Sequence, residues 1–492
     1  MKQTAGVIGS GIAGISSAIR LAAKGYAVEV FEQADKPGGK LSQLQQQGFR
    51  FDTGPSLFTL PGLVDELFTL AGKNPANYFR YRLLESSCRY FWEDGTVVNA
   101  WKEPEQFAAE LSTKTNVEKD RILAFLEKSR RLYDITHEVF LFNSFHKIRN
   151  YGQAAYRKSL LHLHELDAFT TMHRKNTRWF SDPRVVQLFD RYATYNGSNP
   201  YKTPATLNII SHLEHNTGTF FPEKGMYHIA EALFKLAADM GVRFHFNSPV
   251  EEIILENNTV KGFRSTGRTY PFDLAVSDVD IVTLYSNLLP GKKIPRKQLS
   301  GERSTSALIF YWGINKSFPE LGLHNIFFSN DYREEFTHLF AKKTIFDDPT
   351  VYIFISCREV PGDAPSGQEN WYVMINVPEN TGQDWDSLII KARKDILSKI
   401  RRVTGKEIAP HIVTESVADP RSIESETGSY RGSLYGLSSN SSFSAFNRHP
   451  NFKKSLKNLY FTGGSVHPGG GIPLCLASAR IAINEIPTSD IH

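Results

Sequence analysis

Cysteine is scarce. Cys88, Cys357 and Cys475 are the only three in 492 residues, and they show neither C-x-x-C nor metal-ligand spacing. That excludes a disulfide framework and a cysteine-based metal site, and it predicts reduced thiols in a cytoplasmic protein. Long hydrophobic runs are also missing, since no apolar stretch reaches the roughly 18 residues a spanning helix needs. The first apolar stretch is broken by glycines, so it predicts no signal peptide. Charge of one sign is in short supply as well. The 57 Lys and Arg exceed the 52 Asp and Glu by only +5, which gives no case for a nucleic-acid partner. Internal repeats and low-complexity segments are absent. Aromatic residues are plentiful instead: 34 Phe, 20 Tyr and 6 Trp make 12% of the chain, enough to line an extended apolar tunnel or to fill large cores. A chain of this length exceeds one ordinary core and predicts two domains built from interleaved segments.

The most informative stretch lies at the start. Thr4 to Ile8 reads as a buried strand, and Gly9, Gly11 and Gly14 form a G-x-G-x-x-G turn into a helix ending near Lys24. Gly25-Tyr26 reverses the chain, and Ala27 to Phe31 returns as a second strand ending in Glu32. This βαβ order is what a dinucleotide site requires. Gly9 allows the tight turn, Gly11 lets backbone approach a pyrophosphate, and Gly14 lets the helix pack on the strand. The helix N-terminus favours the phosphates. Glu32, eighteen residues beyond Gly14, stands where a carboxylate accepts hydrogen bonds from the adenosine ribose. Pro37-Gly38-Gly39-Lys40 and Phe51 to Ser56 follow directly. A second glycine turn with a cation suits FAD, which runs further through a protein than NAD.

Further along, residues 63–72 have helical spacing, and 88–100 read as a hairpin turning at Asp94-Gly95. From 103 to about 190 the pattern is mostly helical, with one helix opening at Asp182-Pro183. Within 141–180, seven Lys or Arg face two acids beside Phe142, Phe145, Tyr151, Tyr156, Phe169, Trp179 and Phe180. Such interleaving suits a segment lying on an anionic membrane, or a solvated basic face over a normal core. Residues 192–204 are turn-rich with three tyrosines. Met226, Ile229, Leu233, Leu236 and Met240 mark a helix stopped by Gly241, with strands at 243–246, 250–255 and 273–276 and a turn at Asn257-Asn258. Residues 305–314, 351–357 and 371–377 are strand candidates for a second, mostly antiparallel sheet, and 386–402 are an amphipathic helix.

The fold class expected is therefore α/β. A Rossmann-like dinucleotide-binding domain (1–80, 215–290 and 410–492) is interleaved with an α+β substrate domain (81–214 and 291–409) carrying a mixed or antiparallel sheet plus helices. Near the C-terminus, Leu459 to Thr462 enters a loop with Gly463, Gly464, Gly469, Gly470 and Gly471, and a helix begins at Ile472-Pro473. A second helix N-terminus behind a glycine loop suits a flavin ring, which gains negative charge on reduction.

With both ends quoted, the chain resembles the bacterial-type carotenoid (phytoene) desaturases, which share the amine-oxidase-like FAD fold. The matching motifs are G-S-G-I-A-G with Glu32 and Lys40, and N-x-Y-F-x-G-G-S-x-H-P-G-G-G-I-P from Asn458 to Pro473. Val466, Gly464 and Gly470 depart from the usual pattern towards later-step enzymes, especially the hydroxycarotenoid 3,4-desaturases. The resemblance implies that Glu32 holds the adenosine ribose, that Lys40 sits by the pyrophosphate, and that Ser56 and Leu57 lie along the flavin. It implies that Val250 pairs its backbone with the adenine, with Asp278 nearby, and that Leu434 falls in a strand region entering the flavin site. Gly464 would approach the phosphates or ribitol, and Gly471 and Ile472 would meet the ring.

The chemistry implied is dehydrogenation of a long polyene, with a hydride passing to flavin N5 and a proton lost from the adjacent carbon. Conjugation stabilises the developing cation, so the protein supplies mainly orientation and exclusion of water. His467 and Tyr195 are the candidates for an acid or base, and no metal is expected. The partners implied are a lipophilic carotenoid, the membrane surface at which a cytoplasmic protein docks peripherally, and quinone or oxygen as electron acceptor. A phytoene-type desaturase, an isomerase, a saturase and a flavin-bearing carotenoid carrier remain alternatives on the same scaffold.

Overall fold

A computed structural model describes residues 2–489 apart from 145, 146, 148, 149, 151–155, 157, 158, 160 and 161. The expected membrane-facing aromatics Phe145 and Tyr151 lie outside the described residues.

The first sheet grows on the Thr4–Ile8 strand. It pairs in parallel with Ala27–Phe31 on one side and Leu274–Ser277 on the other. Arg243–His245 closes one edge. Leu456–Phe461 and the hairpin Val250–Glu256/Thr259–Ser265 extend the other. The hairpin turns at Asn257 and Asn258, both at positive φ, the geometry that favours asparagine in a two-residue turn. Alternation along these strands sends Val7, Val28, Val30 and Val276 to one face, where they pack with helices Ile12–Ala23, His228–Asp239 and Ile472–Ile483. Ile8, Phe31, Ala275 and Phe461 form a second cluster with Phe263 and Phe272. Each large side chain buried this way contributes roughly 1.5–3 kcal/mol.

The second sheet runs in the order Ile412–Ala418, Ser306–Ile314, Glu369–Val377, Val351–Phe354, His324–Phe327, Ser86–Phe91, Val97–Trp101. It is antiparallel except where His324–Phe327 meets Ser86–Phe91. The Ile412–Ala418 strand therefore pairs within this sheet, although a division at 410 would have grouped it with the dinucleotide-binding segments. Period two splits the sheet's side chains between two faces. Leu308, Phe310, Trp312, Val373 and Ile375 pack with helix Trp385–Thr404. Ala307, Ile309, Tyr311, Tyr372 and Met374 turn the other way. Above that second face lie helices Lys119–Phe142 and Ile209–His215. Helix Pro183–Asp190 starts as its sequence requires, with the Asp182 side chain accepting the Arg184 N–H at 2.9 Å and Pro183 in the first turn.

Candidate active site

Gly9 sits at φ +93° and donates its N–H to the Phe31 carbonyl. A Cβ on Gly14 would lie 2.1 Å from the Gly9 carbonyl oxygen, and one on Gly11 would lie 2.4 Å from Asp278 Oδ2. The glycines are thus required by close approach. Asp278 follows strand Leu274–Ser277, and its Oδ2 accepts the Gly14 N–H at 2.9 Å. Its other oxygen would be 2.3 Å from a Cβ on Gly463. One carboxylate therefore stands between the N-terminal turn and the C-terminal loop and touches both. Burial pushes Asp278 up to about 7 with help from the Glu32 charge, while the Gly14 N–H and Lys40 oppose the shift.

Glu32 is buried at the end of its strand. Its Oε2 accepts from Ser10 N–H (2.7 Å) and Ser10 Oγ (2.8 Å), and Oε1 accepts from Ala34 N–H (2.9 Å). A carboxylate has about four lone-pair sites, so capacity remains for a ribose hydroxyl. Lys40 Nζ donates to the Leu434 carbonyl at 2.8 Å, and burial lowers its affinity for the proton against the charges of Asp280 and Asp278. Leu434 is not in a strand. It lies in the loop after Tyr430–Gly432, where its N–H bonds the Thr305 carbonyl and its carbonyl is spent on Lys40, so ladder pairing is replaced by a lysine contact.

The C-terminal loop ends at Gly471, φ +102°, where a Cβ would meet nothing within 4 Å. The space in front of it is open. Helix Ile472–Ile483 follows with no side-chain cap and no acid in its first turn, and helix Ile12–Ala23 starts the same way at Gly11. At both helix starts the N-cap is a glycine with no side chain to offer; at the first, Asp278 takes the Gly14 N–H, and each start lies beside a glycine turn. Such ends attract anions.

His467 is buried, and its Nε2 donates to the Asn143 carbonyl at 2.9 Å, tying the loop to the end of the long helix. The His467 carbonyl accepts from Asn451 Nδ2 (2.8 Å) and Ser478 Oγ (2.9 Å). Arg448, also buried, donates to the carbonyls of Tyr435 and Leu437. Asn451 and Arg448 escape a sequence reading because their partners are carbonyls and a serine hydroxyl scattered over 10 to 27 positions, with no local spacing to mark them.

These parts line one cavity of about 1660 Å³. Glu32, Val250, Lys40, Asp278, Gly464 and Gly471 are on its wall, as are Ser56, Leu57, Leu434, Ile472, His467 and Tyr195. The cavity continues between the two-helix roof, through Tyr133, His137, Phe140, Ile210 and Leu213, and the inner face of the second sheet. Single drug-sized ligands occupy roughly 300–1,000 Å³, so this volume accommodates a dinucleotide and a second long molecule.

Tyr195 belongs to a buried network. Its hydroxyl donates to Glu214 (2.5 Å) and accepts from Arg191 (2.9 Å), which also reaches Tyr90 and Glu214. Burial raises the Tyr195 pKa well above the ordinary tyrosine value. Cys475, in the first turn beside Gly471, is likewise pushed up to about 12 by burial, with the Asp278 charge adding to the shift. Neither group is poised to ionise. Among the described residues no cluster of His, Cys, Asp and Glu is arranged to hold a metal.

The model of the flavin-containing amine oxidoreductases matches residues 12–486. The chain belongs to that family. FAD is the cofactor, and the two glycine turns and the opening at Gly471 fit it. A 1-hydroxycarotenoid 3,4-desaturase of a Flavobacterium species is 47% identical over 484 residues, covering 98% of this chain and 99% of its own. A 4,4'-diapolycopene oxygenase of a Methylomonas species is 32% identical, covering 98% and 97%. Among solved structures, an oxidoreductase from Methanosarcina mazei superposes with TM-score 0.66 at 15% identity, covering 98% of this chain and all of its own. Cyclohexylamine oxidase from Brevibacterium oxydans superposes with 0.62 at 13%, covering 99% of both chains. At those identities the likeness is one of fold.

Proposed function

We propose that this flavin-containing amine oxidoreductase desaturates a carotenoid, introducing a C=C bond at the C3–C4 position of a 1-hydroxylated polyene. The observation that carries the reading is the single cavity, which joins the two glycine turns to a long apolar slot. The name of the 47% relative supports it. Bound FAD supplies the hydride-accepting centre. In this reading Glu32, Lys40 and the Gly9–Gly14 turn hold the nucleotide half, with Val250 at the adenine end. Gly464, Gly471 and Ile472 present backbone to the other half, and Ser56 and Leu57 flank it. The slot orients the polyene and excludes water, so the reacting carbons meet no competing nucleophile. His467 braces the loop through Asn143, and Tyr195 is engaged by Glu214 and Arg191, so the proton's acceptor is assigned to neither. Expression in cells that accumulate different carotenoid precursors tests the reading. A product longer in conjugation by one double bond is expected from the hydroxylated precursor, whereas lost conjugation, altered geometry alone or no change would point to saturase, isomerase or carrier.

The substrate's lipophilicity supports delivery from a membrane surface, with quinone or oxygen as the acceptor. Among the described residues no helix is long and apolar enough to cross a membrane. Of the described aromatics between 141 and 180, Phe180 and Tyr156 are buried and Phe169 is 92% exposed. Phe169 has company from elsewhere: Ser442 Oγ donates to the Ala168 carbonyl at 2.6 Å, and Phe443 and Phe446 beside it are 63% and 48% exposed. Ala168, Ser442 and Phe446 are also on the cavity wall. This rim supports docking where the cavity opens. The protein is expected to co-sediment with vesicles, more with anionic ones, and replacing Phe169, Phe443 and Phe446 by serine should release it. Failure of the unaltered protein to bind neutral and anionic vesicles alike would reject peripheral docking.

A further inference from the structure

Inside the apolar slot runs a short polar chain that begins at Ser56, beside the expected flavin, and whose inner members, Tyr352 and His324, the desaturation chemistry leaves unused. Ser56 Oγ lies 2.6 Å from the Tyr352 hydroxyl, which lies 2.7 Å from His324 Nδ1. Ser56 and Tyr352 are on the cavity wall, among Ala307, Ile309, Ile326 and Met374. His324 is only 2% exposed, and its Nε2 has no hydrogen-bond partner among the described residues. Polar groups set into an apolar wall carry a desolvation cost, and a hydrocarbon polyene offers them nothing in return.

We propose that Ser56, Tyr352 and His324 form a subsite for the oxygen substituent of a hydroxylated polyene. The inference rests on the reading of this cavity as a desaturase site and names what sets its substrate preference. Burial holds His324 neutral, pushed down to about 3, so one ring nitrogen carries a proton and the other accepts one. If Nδ1 accepts from Tyr352, then Tyr352 accepts from Ser56, and the Ser56 lone pairs face the cavity. If Nδ1–H donates to Tyr352, then Tyr352 donates to Ser56, and the Ser56 O–H is free to donate. In both arrangements half-buried Ser56 is the open end of the chain. An alcohol both donates and accepts, so it satisfies either.

Position supports the same conclusion. A Cβ on Gly54 would lie 2.0 Å from the Lys40 carbonyl, so the Gly54–Ser56 segment rests on the Lys40 turn. Lys40 in turn lines the same cavity as Gly471 and Cys475, at the start of the Ile472–Ile483 helix. The polar chain thus stands at the end of the slot nearest the two glycine turns. In a 1-hydroxylated polyene the oxygen-bearing carbon is two carbons from C3, so an oxygen subsite for 3,4-oxidation has to lie close to the reacting centre. The Arg191–Glu214–Tyr195 network is a poorer host, because the Tyr195 hydroxyl on the cavity wall already donates to Glu214 and accepts from Arg191.

The test is equilibrium binding of a 1-hydroxylated carotenoid and its deoxy analogue to the holoprotein, followed by quenching of tryptophan fluorescence, with turnover measured in parallel. The unaltered protein is expected to prefer the hydroxylated polyene. Tyr352→Phe keeps the ring and Ser56→Ala is nearly isosteric, and each is expected to cut the affinity ratio about tenfold, the scale of one neutral hydrogen bond. FAD occupancy and Tm report whether either variant has disturbed the fold. A ratio that both variants leave unmoved, or that is lost only together with FAD, overturns the subsite. A preserved preference without turnover supports the subsite and overturns the desaturase reading instead.

Discussion

Gly14→Ala is expected to yield a protein that no longer retains FAD. The added methyl would lie 2.1 Å from the Gly9 carbonyl oxygen, 3.0 Å from its carbon and 3.3 Å from Asp278 Oδ2. Two of those three atoms are backbone, so no side chain can swing aside. Gly9 is held by its hydrogen bond to Phe31 and by its positive φ. Relief therefore requires the helix to move away from the sheet, which breaks the Gly14 N–H contact to Asp278 and disturbs Gly463 on the carboxylate's far side. Overpacking of this kind costs about 1–3 kcal/mol, at times more. The strain falls directly on the turn proposed to hold the FAD phosphates, so FAD affinity should fall about a hundredfold, as read by fluorescence titration of the apoprotein. Gly72→Ala makes a useful comparison: its φ is +67°, but a Cβ there meets nothing within 4 Å. It should lose some stability while keeping the cofactor.

Acid is expected to destabilise the helical roof and the second sheet well above the pH at which ordinary carboxylates titrate. Burial pushes His215 down to about 4 and His324 down to about 3 from an ordinary value of 6.5, against the raising influence of the Glu214 charge. Folded, both rings refuse protons that the unfolded chain accepts. Stability is therefore lost as pH falls below 6.5, down to each folded value. Glu214 adds to this at lower pH. Burial raises its pKa, but Arg191, His215 and hydrogen bonds from Tyr195 and Ser87 outweigh that and hold it at about 2 rather than 4.5. Its contribution is complete above 4.5 and disappears between 4.5 and 2. A shift of one pKa unit corresponds to about 1.4 kcal/mol, so His215 alone removes on the order of 3 kcal/mol by pH 4. Tm measured from pH 7.5 to 4 should fall steadily from about pH 6.5. Glu214→Gln should lower Tm at every pH, because leaving the Arg191 charge unpaired in the interior costs about 3–5 kcal/mol. A Tm flat from pH 7 to 4 would show that these histidines are hydrated and protonate freely.

What the sequence shows and what it hides follow from the range of the interactions. The Thr4–Glu32 unit is legible because its turn, helix and returning strand are made by neighbours in the chain, and each glycine has its reason within a few residues. The Asn257-Asn258 turn and the Asp182 cap are local in the same sense. The cavity wall is not. Ser56 meets Tyr352 across 296 positions and Lys40 meets Leu434 across 394, and no periodicity encodes such pairs. The family resemblance implies a strand at Leu434, yet it lies in a loop and its carbonyl is taken by a buried lysine. The aromatics between 141 and 180 suit either a membrane-facing stripe or a normal core, and Phe180 takes the second course by packing on Phe125 and Phe189. Exposed Phe169 is joined by Phe443 and Phe446, nearly three hundred residues away. Asp278 shows both sides of this. Its place after a strand is legible, but its role between two glycine turns appears only when Gly11, Gly14 and Gly463 are brought around it.

The central claim is that FAD and a hydroxylated polyene lie side by side in one cavity and exchange two electrons there. A single anaerobic turnover tests it most directly: mix the holoprotein with one equivalent of a 1-hydroxylated carotenoid, then follow the visible flavin band and the mass of the polyene. Bleaching of the band in step with a red-shifted polyene that has lost two hydrogens is the predicted result. An unbleached flavin with an unchanged polyene, or a polyene that has gained oxygen when air is admitted without first losing hydrogen, would contradict it.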